Sequence, residues 1–174
     1  MSIDNVKHPD AGERDIREAL RDHSAGRSLG FMLWHTTLRW QRGVAAALEP
    51  FDLTHGQALL LTSAWWLGRD GTMPNQRQVA EHAGVGEVMT SQIIKVLERN
   101  ALIERTTHPD DPRGKALRVT DHGRAIAEKA VVAMDAWDAE FFAAAPDADE
   151  LLAALQSLAG RGAPDAVAGS QSEV

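Results

Sequence analysis

Between residues 87 and 100 the chain carries Glu87, Thr90, Ser91, Gln92, Lys95 and Arg99, interleaved with Val88, Ile93, Ile94, Val96 and Leu97. The apolar members recur at helical spacing and are expected to turn inward, which leaves hydroxyls, an amide and cations on the other side. Those groups suit base edges and phosphates, and Gln92 has the donor and acceptor needed to pair with adenine. Just downstream, residues 102–106 and 116–120 mix apolar and polar side chains as short strands do. The link between them holds Pro109, Asp110, Asp111, Pro112, Arg113, Gly114 and Lys115, so a β-hairpin with a charged tip is the simple reading.

The elements that would position these groups are legible on either side. Asn75 is placed to cap a short helix carrying Val79, Ala80 and Ala83, and Gly84-Val85-Gly86 supplies the turn into the helix at 87–100. Two helices joined by a tight glycine turn and followed by a hairpin is the order of a winged helix, whose second helix enters the major groove. Upstream, Thr54-His55-Gly56-Gln57 has the form of a capping box and opens an apolar helix that Gly68, Asp70, Gly71 and Pro74 break. Before it, residues 28–48 carry one apolar stripe through Leu29, Leu33, Trp40, Val44 and Leu48, and a second through Phe31, Trp34 and Leu38. Two stripes require cover on more than one side, from the chain's own domain or from a second copy, and Pro50 ends this helix. A long helix is expected over 121–144, and Pro146-Asp147 restarts a last one striped by Leu151, Leu152, Leu155 and Leu158. The fold class is therefore mainly α with a small β-hairpin wing.

Composition narrows the chemistry. The 174 residues are 44% hydrophobic and 25% charged, as in a globular protein, and contain no cysteine. Disulfides, thiolate zinc sites, iron–sulfur clusters and thiol switches are excluded. The formal charge of −7 argues at first against nucleic acid. Within 75–124, however, eight Lys and Arg face seven Asp and Glu, so the acidity belongs to the rest of the chain. No apolar run approaches the roughly 20 residues of a membrane span, and the polar start Met1-Ser2-Ile3-Asp4-Asn5 does not resemble a secretion signal, so a cytoplasmic location with no membrane partner is expected. The chain has no Gly-x-Ser-x-Gly, phosphate-binding or dinucleotide-binding glycine motif and no His-Glu-x-x-His, and its seven histidines lack metal-site spacing. No enzyme activity, metal or cofactor is expected. Residues 1–27 read as a charged, partly disordered arm with a short helix near 15–22, and 161–174 as a disordered tail.

At Val88-Met89-Thr90-Ser91-Gln92, Leu97-Glu98-Arg99, Leu102-Ile103-Glu104-Arg105, His108-Pro109-Asp110-Asp111-Pro112-Arg113-Gly114-Lys115 and Leu117-Arg118-Val119-Thr120-Asp121-His122-Gly123, the sequence resembles the MarR family of transcriptional regulators. The resemblance covers roughly residues 28–160, with a winged helix-turn-helix core at 54–120 and dimerisation helices at 28–49 and 121–160. It implies that Arg113 enters a minor groove while Asp111 orients it, and a guanidinium suits that narrow, negative groove. With Lys115, these join Thr90, Ser91, Gln92, Lys95 and Arg99 as the expected DNA-binding set. Ala101 stands where the family usually has glycine, and Met89 where a hydroxyl residue is more usual, so the resemblance transfers neither the closure of that helix end nor a base preference.

The resemblance further implies a homodimer on a pseudo-palindromic operator in double-stranded DNA, acting as a repressor released by a small effector, with aromatic compounds among the candidates. A pocket for that effector would draw on Trp34, His35, Arg39, Trp65 and Trp66, although tryptophans at helical spacing are equally a core pattern. Two other classes stay open: a metal-responsive regulator built on histidines and carboxylates, and a winged helix that binds only protein.

Overall fold

Four helix starts in this molecule follow from local side-chain chemistry. The computed structural model describes residues 16–24, 26–108 and 111–160, without the side chains at 17, 19, 108 and 111–114. The expected disorder of 1–15 and 161–174 lies outside the described residues. Thr54 and Gln57 close the anticipated capping box at α3 (His55–Gly68): Gln57 N–H donates to the Thr54 hydroxyl and Thr54 N–H donates to the Gln57 amide oxygen at 2.8 Å. Asn75 and Gln78 do the same for α4 (Gln76–Ala83). Thr120 caps α6 (Asp121–Phe142) and Asp147 caps α7 (Ala148–Leu158).

The chain divides into two compact units, Met1–Gly43 and Val44–Val174. The first holds α1 (Ile16–Ser24) and most of α2 (Leu29–Leu48). Within it, His23 meets Phe31 edge-on at 5.9 Å and Phe31 stacks at a tilt on His35 at 4.2 Å. After α2 the backbone tightens into a single 3₁₀ turn, Glu49–Phe51, because Pro50 has no N–H with which to continue an α-helix.

In the second unit α3 is the hub, packed against α4, α5 (Glu87–Arg99), α6 and the hairpin. Leu60 and Leu61 of α3, Val79 of α4, Ile94 and Leu97 of α5, and Ala127 and Ala130 of α6 are fully buried. Gly56 lets α3 and α5 approach closely, since a Cβ there would lie 3.1 Å from the Ile93 side chain. Strands β1 (Ile103–His108) and β2 (Asp111–Val119) pair antiparallel with Ile103 opposite Val119 and Arg105 opposite Leu117. Both run further than the expected 102–106 and 116–120. The ladder continues wherever the two backbones stay extended, so polar residues that read as link, such as Thr107 and Lys115, are paired instead. The architecture is the expected one, mainly helical with a two-stranded hairpin. No described helix is long and apolar enough to cross a membrane.

Candidate nucleic-acid interface

Helix α5 is aimed by the turn that precedes it. Gly84 takes a left-handed conformation, φ +68°, which any side chain would strain, and Val85 N–H donates to the Ala80 carbonyl at 3.0 Å. From Gly86 onward α5 presents Glu87, Val88, Met89, Gln92, Lys95 and Arg99 to solvent, with Ser91 half-buried. Thr90, Ile94 and Leu97 form the inward stripe at spacings of four and three. Two expectations are corrected here. Val88 is 77% exposed rather than inward, because it lies about 200° around the helix from Thr90. Thr90 is fully buried, and its hydroxyl donates to the Val85 carbonyl at 3.4 Å, so it ties the turn together instead of facing bases.

The helix is joined firmly to the hairpin. Ala101 adopts φ +55°, the left-handed conformation that glycine takes without strain, and Leu102 N–H returns to the Leu97 carbonyl at 2.9 Å. The Arg105 guanidinium on β1 pairs with Glu98 of α5 at 3.0 Å, both about a quarter exposed. It also donates to Gln76 of α4 at 3.4 Å. Across the strands Arg118 pairs with Glu104. Leu117 N–H donates to the Pro74 carbonyl at 2.8 Å, and Asn75 bridges Ala116, which fastens β2 to the segment leading into α4.

The root of the hairpin is clasped by α6. Thr120 N–H donates to the Leu102 carbonyl at 3.1 Å, the Thr120 hydroxyl donates to the Ala101 carbonyl at 2.8 Å, and Gly123 N–H donates to the Thr120 hydroxyl at 2.9 Å. A Cβ on Gly123 would run into the Leu102 carbonyl, so only glycine fits there.

The remaining candidates are distributed as follows. Lys115 is exposed on β2, paired with Thr107. Asp111 and Arg113 belong to β2, and their side chains lie outside the described residues. Trp34, His35 and Arg39 belong to the first compact unit, where Trp34 is 62% exposed; Trp65 and Trp66 belong to the second. The Arg69 guanidinium sits 3.8 Å over the Trp66 ring. Trp65 lines a cavity of about 400 Å³ between the end of α3 and the end of β2. Among the described residues, no three His, Asp or Glu side chains converge as a metal site requires.

Several contributors escaped sequence reasoning. Val88 and Met89 join the exposed face of α5, and only an accurate phase for the helix would have revealed them. The hydrogen bond of 3.0 Å between His82 Nδ1 and the buried Ser63 hydroxyl locks α4 onto α3, and it joins residues too distant in sequence for any pattern to suggest. On α3, burial pushes the His55 imidazole below its ordinary value, and the Asp138 carboxylate opposes that shift.

Residues 71–146 match a family model described as HxlR-like helix-turn-helix. The chain is 37% identical over 131 residues to a Bacillus subtilis (strain 168) protein described as the uncharacterized HTH-type transcriptional regulator YdcH, covering 75% of this chain and 89% of that one. It is similar in structure to CouR from Rhodococcus jostii RHA1 bound to p-coumaroyl-CoA, with a TM-score of 0.68, 27% identity, and coverage of 80% of this chain and 97% of CouR. The transcriptional repressor CouR bound to a 23-mer DNA duplex gives a TM-score of 0.64 at 25% identity over 80% and 95% of the two chains. A MarR-family regulator from Rhodococcus sp. RHA1 gives 0.64 at 28% identity over 75% and 93%.

Proposed function

Since the chain belongs to the MarR family of winged helix-turn-helix transcriptional regulators, we propose that it is a dimeric, cytoplasmic repressor that reads a pseudo-palindromic operator and is released by a small organic ligand. The observation that carries this reading is the exposed face of α5, where Gln92, Lys95 and Arg99 stand beside a hairpin bound to the same helix through Arg105 and Glu98. A helix and wing held in fixed spacing can enter neighbouring grooves of one duplex together. Gln92 and Ser91 read base edges, Lys95 and Arg99 hold phosphates, and Val88 and Met89 offer apolar contact to thymine methyls. Arg113, oriented by Asp111, enters the minor groove, with Lys115 on the adjoining backbone. Thr90 acts indirectly, by fixing the turn ahead of the helix.

Dimerisation is supported by apolar surface. On α2, Leu29, Leu33 and Trp34 are exposed, and on α7 so are Leu152, Leu155 and Leu158. Helices at 28–49 and 121–160 would pair two copies, leaving the core at 54–120 free for DNA. CouR, solved once with DNA and once with p-coumaroyl-CoA, supplies the precedent for a regulator that meets both a duplex and a small molecule.

The test is a mobility shift on duplexes selected by the protein from a random library. Wild-type affinity should fall steeply as salt rises. Lys95→Ala should lower the salt slope by about one, and Gln92→Ala should cost about 1–3 kcal/mol on the preferred sequence with little change on others. Arg113→Ala should weaken binding while leaving the melting temperature unchanged. Absence of duplex binding, or binding indifferent to salt, would defeat the proposal.

A further inference from the structure

The exposed face of α5 holds polar and cationic groups along its length and an apolar pair at its leading end. Val88, Gln92, Lys95 and Arg99 follow one another at intervals of four, three and four residues, so they share one stripe along the helix. Thr90, Ile94 and Leu97 form the buried stripe opposite. Val88 is 77% exposed and Met89 beside it is 59% exposed, which leaves a bare apolar surface one turn ahead of Gln92. Scattered apolar side chains on a surface need no partner. Two adjacent ones that lead the stripe of Gln92, Lys95 and Arg99 differ, because whatever meets those three groups also covers the pair. Thr90 sends its hydroxyl inward to the Val85 carbonyl, so it places no competing polar group on this surface.

Of the groups that base edges present in the major groove, the C5-methyl of thymine is the apolar one, and the same carbon carries a methyl in 5-methylcytosine. Cytosine and uracil have only hydrogen there. We infer that Val88 and Met89 tie operator affinity to a C5-methyl group on a pyrimidine next to the base that Gln92 reads. Thymine and 5-methylcytosine satisfy this contact alike. Where the contacted pyrimidine is a cytosine, its methylation therefore strengthens binding. Valine suits such a contact because its branched side chain is already stiff, and the pliable thioether of Met89 fills the space around the methyl. The inference rests on the proposed reading of duplex DNA by α5. It adds the chemical group to which affinity responds, and the covalent change in the DNA that supplies or withholds that group.

The experiment uses the full chain and the duplex selected in the mobility shift. Each thymine is replaced in turn by uracil, which removes the methyl and nothing else. At one pyrimidine of the half-site, next to the adenine whose contact Gln92→Ala abolishes, uracil should weaken wild-type binding by about fourfold, the effect of one buried methyl group. At that position a cytosine–guanine pair is then compared with its 5-methylcytosine counterpart, and the added methyl should strengthen binding by about fourfold. Val88→Ala combined with Met89→Ala should bind the two duplexes of each comparison equally, with a melting curve showing that the fold is kept. Tolerance of uracil at every position would overturn the inference, as would indifference to 5-methylcytosine or methyl discrimination that survives in the double variant. In each of those cases duplex binding persists and the repressor reading stands. Failure to bind any duplex would overturn both.

Discussion

Helices α5 and α7 belong to the same compact unit and both carry evenly spaced apolar residues, yet they use them oppositely. In α5, Ile94 and Leu97 are fully buried, and the helix is fastened on to β1 by the Arg105–Glu98 pair. In α7 no residue is buried, and Leu158 is 81% exposed at the end of a leucine stripe. The contrast teaches that apolar periodicity reports a demand for cover without saying who provides it. For α5 the cover is α3 and the hairpin, within one chain. For α7 the proposed cover is a second copy.

Four substitutions or conditions can break or sharpen that contrast. The largest effect is expected for Gly123→Ala, which drives a methyl into the Leu102 carbonyl and should cost about 3 kcal/mol in urea unfolding. A cost below about 1 kcal/mol would mean that the clasp at the hairpin root yields easily. Next, Leu155→Glu with Leu158→Glu should weaken self-association about a hundredfold in sedimentation equilibrium while leaving the monomer fold intact. A dimer of undiminished affinity would remove α7 from the proposed interface. Smaller is Ala101→Gly, expected to raise unfolding free energy by about 0.5–1 kcal/mol because it relieves the left-handed alanine between α5 and β1. The last is a pH effect. Burial makes the His55 imidazole harder to protonate in the folded chain than in the unfolded one, so the unfolded chain takes up a proton first as pH falls through the ordinary histidine range. Stability should therefore decline on acidification below neutrality, and His55→Gln should flatten that decline in unfolding curves taken across the range.

What the sequence made legible was local. The capping boxes Thr54–Gln57 and Asn75–Gln78 could be read because donor and acceptor lie three residues apart. The glycine turn at 84 and the hairpin were legible for the same reason. The errors arose where a residue's environment depends on helix phase or on distant partners. Val88 looked like core because it is apolar, and Thr90 looked like a reader because it is polar; the orientation of α5 against α3 reverses both. The convergence of Arg69 with Arg118 and Arg124 on the cavity beside Trp65 was invisible, since nothing in a linear pattern reveals that the end of α3 meets the start of α6. Ala101 was uncertain for a different reason. An alanine can occupy the left-handed region when the bonds around it repay the strain, and those bonds come from Thr120, well downstream.

The clasp formed by Thr120 and Gly123 makes α6 and the hairpin a single lever. With 22 residues α6 is about 33 Å long, so a tilt of about 5° about the clasped end displaces the far end by roughly 3 Å. Motion runs equally well in reverse, from the far end of α6 into the β-ribbon. A rearrangement at the far end of α6 would thus act on the hairpin, against the resistance of the packing between α6 and α3.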